Sequence, residues 1–397
     1  MVDAFKKKLL RNRQRVLILL LVAFLFGMVL AEIESTIHRT SGTALHEILE
    51  STRNPAIEEL LAEMTPEEKI GQMFMACCYS GTPSTKTVNC YHLGSVLLFG
   101  NSFQKNNPET LQKKLQNLSR EAEIPPLIAV DEEGGSVVRV SSNKSYRRTP
   151  FKAPRKLYAN GGLSAILEET HEKNKLLRGI GIHLNLAPVC DISTNPKDFM
   201  YARSLGENAE ITSEFVSETV KACREDGIGC SLKHFPGYGN VVDTHTGTAV
   251  DRRSLQELQT KDLLPFAAGI EAGAPSVLIS HNIVTAIDKK NPASLSAAMH
   301  RLLREDLKFQ GVIITDDLSM GALSNDSKGL DDAVAAILAG SDLLCSGDYK
   351  AQYKAVCKAY EAGLISEQRL DQSVRRILCW KAELGLIDTT ETTKEER

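Results

Sequence analysis

The chain has 397 residues, of which 42% are hydrophobic and 24% charged, with 47 Lys and Arg set against 50 Asp and Glu. That balance excludes disordered, collagen-like and coiled-coil classes and provides enough apolar residues for a sizeable core. A net charge of −3 gives no overall basic field for phosphates, so no nucleic acid partner is expected.

The charge is unevenly spread. Residues 1–15 hold Lys6, Lys7, Lys8, Arg11, Arg13 and Arg15 against Asp3, a local +5 that leaves −8 for the remainder. Residues 16–31 (VLILLLVAFLFGMVLA) follow as an uncharged apolar run. A basic cluster abutting such a run predicts a cytoplasmic tail over 1–15 and a transmembrane anchor or signal peptide over 16–31, with the rest exported. Val29 and Ala31 fit a small-residue cleavage pattern, so a membrane-anchored form and a form secreted after cleavage near Ala31 are both open. No cysteine follows the run directly, which leaves no acceptor for a lipid anchor. Residues 32–53 are expected to be a spacer, and residues 391–397 a polar tail.

Nine cysteines (77, 78, 90, 190, 223, 230, 345, 357, 379) show neither CxxC pairs nor Cys/His ligand spacing. Several sit in apolar stretches such as VCDI and LLCS, where they serve as small buried hydrophobes, so neither a zinc site nor a disulfide framework is predicted.

The folded unit is expected over 54–390. Thr65-Pro66-Glu67-Glu68 has the form of a capping box with proline at the first helical position, and a helix is predicted from there. Eight apolar runs then recur: 73–78, 95–99, 127–130, 183–189, 229–235, 276–280, 311–315 and 342–346. Their continuous hydrophobicity suits strands buried on both faces, as in a parallel sheet covered by helices. Eight of them predict a single α/β domain, a (β/α)8 barrel, with a doubly wound open sheet as the structural alternative. A closing helix is predicted from Ser366, with Leu370, Val374, Ile377 and Leu378 at helical spacing. No GxGxxG or GxxxxGK[ST] motif supports a nucleotide site, and no cofactor or metal is expected.

Chemistry in a parallel barrel collects where strands end, and polar residues recur at those points. They include Asp131-Glu132-Glu133 with Arg139, then Asp191, Lys233 with His234, His281, Asp316 with Asp317, and Asp348. Charged groups on so many strand ends would be costly without a shared role. Adjacent residues on a strand point opposite ways, so only one of Asp316 and Asp317 should face the mouth while the other caps or pairs locally. Asp243-Thr244-His245 places a carboxylate where it can orient an imidazole that exchanges protons near neutral pH.

The stretches IAVDEEGGSVVR (128–139), LNLAPVCDISTNP (184–196), ARSLGE (202–207), KHFPGYG (233–239), DTH (243–245) and GVIITDDLSMGA (311–322) together resemble glycoside hydrolase family 3. The resemblance spans roughly 54–390 and is to the single-barrel β-N-acetylglucosaminidases acting on bacterial cell-wall sugars. It implies Asp316 as nucleophile, His245 as acid and base oriented by Asp243, and retention of configuration. It also implies substrate binding by Asp131, Arg139, Arg203, Lys233 and His234. A terminal N-acetylglucosamine is the implied substrate and cell-wall fragments the carbohydrate partner. A carboxylate on one face of an oxocarbenium-like transition state and a proton source on the other is what this chemistry requires. The chain departs from the pattern at Tyr238, where many relatives have His, at Leu205, where an aromatic is common, and in a segment 240–242 that is one residue short. The alternatives are a family 3 β-glucosidase, a glycoside phosphorylase, a non-catalytic sugar-binding barrel, or a metal-dependent hydrolase using His234, His245 and the Asp316/Asp317 pair.

Overall fold

The computed structural model describes residues 54–241, 249–320, 323 and 331–389. Residues 1–53, with the basic tail and the apolar run, and residues 390–397 lie outside the described residues. The chain divides into two units, 1–55 and 56–397, and the second carries the architecture below. Among the described residues no helix is long and apolar enough to cross a membrane.

Eight parallel strands form one sheet: β1 (Phe74–Cys78), β2 (Ser95–Leu98), β3 (Leu127–Val130), β4 (Leu184–Asn185), β5 (Gly229–Phe235), β6 (Ser276–Ile279), β7 (Val312–Thr315) and β8 (Leu344–Ser346). Their order is β8-β1-β2-β3-β4-β5-β6-β7, the sequence order with the last strand returned beside the first. The seam closes between β7 and β8 through a parallel bridge from Ile314 to Leu343, with the Leu343 N–H on Ile313 O and the Thr315 N–H on Leu343 O, each 3.0 Å. The protein is a (β/α)8 barrel, and every residue of β1, β2, β3, β5, β6 and β7 is buried, as continuous apolar runs require.

One predicted strand is much shorter than its apolar run. Over 183–189 only Leu184–Asn185 pair as a strand, and the ladder resumes as a single bridge from Val189 to Lys233. Pro188 has no N–H to donate, so the run cannot continue as a central strand.

The helices begin where their side chains can take up orphan amides. Thr65 accepts from the Glu68 N–H while the Glu68 carboxylate reaches back to the Thr65 N–H, opening the helix Pro66–Gln72. Ser366 caps Glu367–Glu383, whose Leu370, Val374, Ile377 and Leu378 are buried as their spacing predicts. All nine cysteines are free, and six of them (77, 78, 190, 223, 230, 345) are buried.

Candidate active site

At the C-terminal end of β3 the chain turns from apolar to acidic. The Glu132 N–H donates to Asn185 Oδ1 (2.9 Å) and Asn185 Nδ2 donates to Glu132 O (3.1 Å), pinning this turn to β4. The buried Glu132 carboxylate then accepts from the N–H groups of Arg139 and Val140, each at 2.7 Å, and from Ser141. That carboxylate folds the 132–141 loop and sets where Arg139 stands. Gly134 has φ of 102°, and a Cβ there would meet Lys152 O at 2.2 Å, so only glycine fits the return.

Beyond this turn the charged side chains form one connected network. Lys233, on the inward face of β5, donates from Nζ to Asp131 Oδ1 (2.7 Å) and to Glu133 Oε1 (2.6 Å). Arg203 grips the same Glu133 as a fork, Nε to Oε2 at 2.9 Å and Nη2 to Oε1 at 2.6 Å. Arg203 Nη2 also lies 3.0 Å from His234 Nε2, and His234 Nδ1 lies 2.8 Å from Asp191 Oδ2. Arg203 Nη2 and Asp191 Oδ2 thus fix the imidazole of His234 from its two nitrogens. Asp191 also takes the Tyr238 N–H at 2.7 Å, and the Tyr238 ring stands edge-on to His234.

The electrostatics follow from this pairing. Burial pushes the Glu133 carboxyl up, but the Arg203 and Lys233 charges outweigh it and hold it far below the ordinary carboxylate range. Asp191 is likewise held low by His234 and the Tyr238 amide against its burial. Burial works to lower Lys233, and the charges of Asp131 and Glu133 more than reverse that. Asp131 remains partly open to the mouth, and its Oδ2 has no partner among the described residues.

The barrel's far side carries the adjacent aspartates. Asp317 is committed to the turn: Oδ1 accepts from the Ser319 N–H (2.9 Å), Ser319 Oγ (2.7 Å) and the Gly347 N–H (2.9 Å), and Oδ2 accepts from the Tyr79 hydroxyl. Asp316 is fixed through its backbone N–H on Ile279 O (2.9 Å) and accepts the Asp317 N–H at Oδ1 (2.9 Å). Asp317 is thus held locally by the loops around it. His281, after β6, spans Ser294 Oγ (2.7 Å) and Asp317 O (3.0 Å), and burial lowers its basicity against the pull of Asp316. Tyr79 packs on Phe99 with ring centroids 4.4 Å apart, and the Arg139 guanidinium lies 5.8 Å from the Phe99 centroid.

Four of the five expected binding residues, Asp131, Arg203, Lys233 and His234, therefore share one network, and Arg139 stands at the aromatic edge of the same end. Asp243 and His245 lie outside the described residues, within 242–248. Glu133 and Asp191 were visible as strand-end charges but carried no role in the sequence. The sequence carries the signal: Arg139, Arg203, Lys233 and His234 stand against a single Asp131, and buried cations require matched carboxylates.

A family model described as the glycosyl hydrolase family 3 N terminal domain matches residues 65–379. A beta-hexosaminidase A of Pseudoalteromonas piscicida is 29% identical over 328 residues, covering 76% of this chain and 55% of that protein. A beta-hexosaminidase of Stenotrophomonas maltophilia (strain K279a) is 37% identical over 226 residues, covering 55% of this chain and 66% of the relative. Among solved structures, a glycoside hydrolase family 3 beta-N-acetylglucosaminidase from Paenibacillus sp. str. FPU-7 superposes with a TM-score of 0.76 at 31% identity, covering 84% of this chain and 65% of that one. The chain thus spans less than two thirds of the length of each of these three.

Proposed function

Because the chain belongs to glycosyl hydrolase family 3, we propose that it is a retaining exo-β-N-acetylglucosaminidase. It removes a terminal N-acetylglucosamine from cell-wall, peptidoglycan-type fragments through a covalent glycosyl–Asp316 intermediate. The observation that carries this is the buried network joining Asp131, Lys233, Glu133, Arg203, His234 and Asp191 at the strand ends where Asp316 also stands. Paired charges so deep beside a mouth are costly to bury for stability alone, and they present preorganised donors and one open carboxylate, the pattern that fixes sugar hydroxyls.

In the first step an Asp316 oxygen bonds to the anomeric carbon as the bond to the leaving oxygen breaks and His245 gives that oxygen a proton. Water, deprotonated by His245, then attacks the same carbon and returns Asp316 as a free carboxylate, so configuration is retained. Asp131 and Lys233 hold hydroxyls of the terminal sugar, with Arg139, Arg203 and His234 as the other binding groups. Asp243 orients His245.

The similarity to proteins described as beta-hexosaminidases supports the acetamido sugar over glucose. The basic end and apolar run support an extracytoplasmic enzyme, tethered through 16–31 or released near Ala31. The decisive assay compares a chromogenic N-acetyl-β-glucosaminide with the matching β-glucoside and follows the first-formed anomer by proton NMR. Rapid release from the former with β product is expected. Inverted product removes the nucleophile from Asp316, and preference for the glucoside removes the sugar assignment.

A further inference from the structure

At the N-terminal end of the barrel, opposite the site above, a groove opens between residues that precede β7 and β8 and the last helix, Glu367–Glu383. Four arginines line it: Arg301, Arg304, Arg369 and Arg376. Beneath them lies Asp342, fully buried, which takes Arg304 Nη2 at 2.5 Å, Arg376 Nη1 at 3.0 Å and the Ile313 N–H at 3.0 Å. Arg369 is spent on backbone carbonyls, Nε to Ile337 O at 3.1 Å and Nη2 to Ser341 O at 2.6 Å, and Arg304 Nη1 likewise on Phe309 O at 2.9 Å and Gly311 O at 2.7 Å.

The charges in this groove do not balance. Four guanidinium groups meet two carboxylates, Asp342 below and Glu305 on the rim, leaving two positive charges over in a chain whose net charge is −3. His300 adds none, because burial brings it down to about 4 and its two nitrogens are held by Ser296 O and Ser341 Oγ. Burial lowers Arg304 most, Asp342 opposes this, and Arg376 adds to the lowering, bringing it to about 10. Arg301 is exposed on its short helix and has no hydrogen-bond partner among the described residues, while Arg376 keeps Nε and Nη2 beyond the bonds that tie Nη1.

We propose that this groove is a binding site for a phosphate dianion, held by the free donors of Arg301 and Arg376 beside the committed charge of Arg304, on the face of the barrel away from the sugar site. Planar guanidinium forks match phosphate oxygens, and a ligand of charge −2 cancels the surplus. The ligand class is a terminal phosphate group, free or as a monoester.

Isothermal titration of the full chain with inorganic phosphate, at an ionic strength fixed with chloride, tests this. Saturable binding with one phosphate per chain is expected. R301A, which touches no buried carboxylate, should weaken it at least tenfold and leave N-acetylglucosaminide turnover unchanged. Saturating N-acetylglucosamine should leave the phosphate affinity as it was. Heats no greater than those of chloride, an unaltered affinity in R301A, or displacement by N-acetylglucosamine each overturn the proposal; the last places the phosphate in the sugar site instead. A glucosyl monoester phosphate in place of inorganic phosphate then separates a free ion from a phosphorylated ligand.

Discussion

The carboxylate of Glu133 and the guanidinium of Arg203 meet as a fork, at 2.9 and 2.6 Å, with Lys233 Nζ on the same carboxylate at 2.6 Å. One buried anion thereby compensates two buried cations reached from two different elements. The arrangement makes Glu133 the hinge of the candidate site rather than a contact to substrate.

Glu133→Gln keeps the shape and removes the charge, leaving Arg203 and Lys233 short of a partner away from water. Breaking a buried pair on one side costs about 3–5 kcal/mol. Denaturant unfolding should show a loss near that size, and turnover should fall at least about a hundredfold as both cations lose their geometry. A variant within 1 kcal/mol of the parent shows that the network is not held through Glu133.

Asp191 acts on substrate only through His234. Its Oδ2 takes the imidazole Nδ1–H at 2.8 Å and its Oδ1 the Tyr238 N–H at 2.7 Å, so Asp191→Asn puts an amide N–H where a donor already points. The cost of one unsatisfied buried donor is about 1–3 kcal/mol. The sharper readout is kinetic: freed from its acceptor, His234 loses its orientation, and KM should rise about tenfold with a smaller change in kcat. A kcat loss with unaltered KM shifts the role from binding to chemistry.

Much of the barrel was legible because buried parallel strands are continuous apolar runs, and runs such as 127–130 and 229–235 match the observed strands end to end. The run 183–189 misled because hydrophobicity does not register a missing donor, and Pro188 stops the ladder whatever its neighbours' polarity. In the site, Asp131 could be found because it follows β3 directly, and Lys233 and His234 because they stand among the last residues of β5. Arg203 stands on a loop between β4 and the helix Ala209–Glu225, and only motif similarity identified it. The pairing partners Glu133 and Asp191 were in view but mute, since one-dimensional spacing carries no information about which charges meet across the barrel.

Lys381 supplies a pH signature unrelated to catalysis. It is wholly buried with its Nζ on Gln72 Oε1 at 2.6 Å, and burial brings it down to about 7 from 10.5. Between those values the unfolded chain binds the proton and the folded chain does not, so unfolding takes up a proton and stability rises with pH. The contribution is about 1.4 kcal/mol per pH unit over that window, and below pH 7 the full penalty of charging the buried amine is present. Lys381→Met should be more stable than the parent at pH 7, with the difference shrinking toward pH 10. Parallel stability curves for the two proteins place Lys381 in contact with water.

The neighbours Asp316 and Asp317 should separate cleanly on substitution. Asp317 holds Ser319, Gly347 and Tyr79, tying the loop after β7 to those after β8 and β1, and charged hydrogen bonds of this kind contribute about 1.5–3 kcal/mol. Asp317→Ala should therefore lower the melting temperature by several degrees and reduce turnover in part, by letting that loop move. Asp316→Ala should leave the melting temperature within a few degrees and cut turnover by about a thousandfold or more, as expected when a nucleophile is deleted. Trapping the parent with a slow fluorinated N-acetylglucosamine analogue should label a peptide containing Asp316, and the Asp316→Ala protein should remain unlabelled. The reverse assignment, with catalysis lost at 317 and spared at 316, requires the loop's structural anchor to be the reacting group, which its four committed donors oppose.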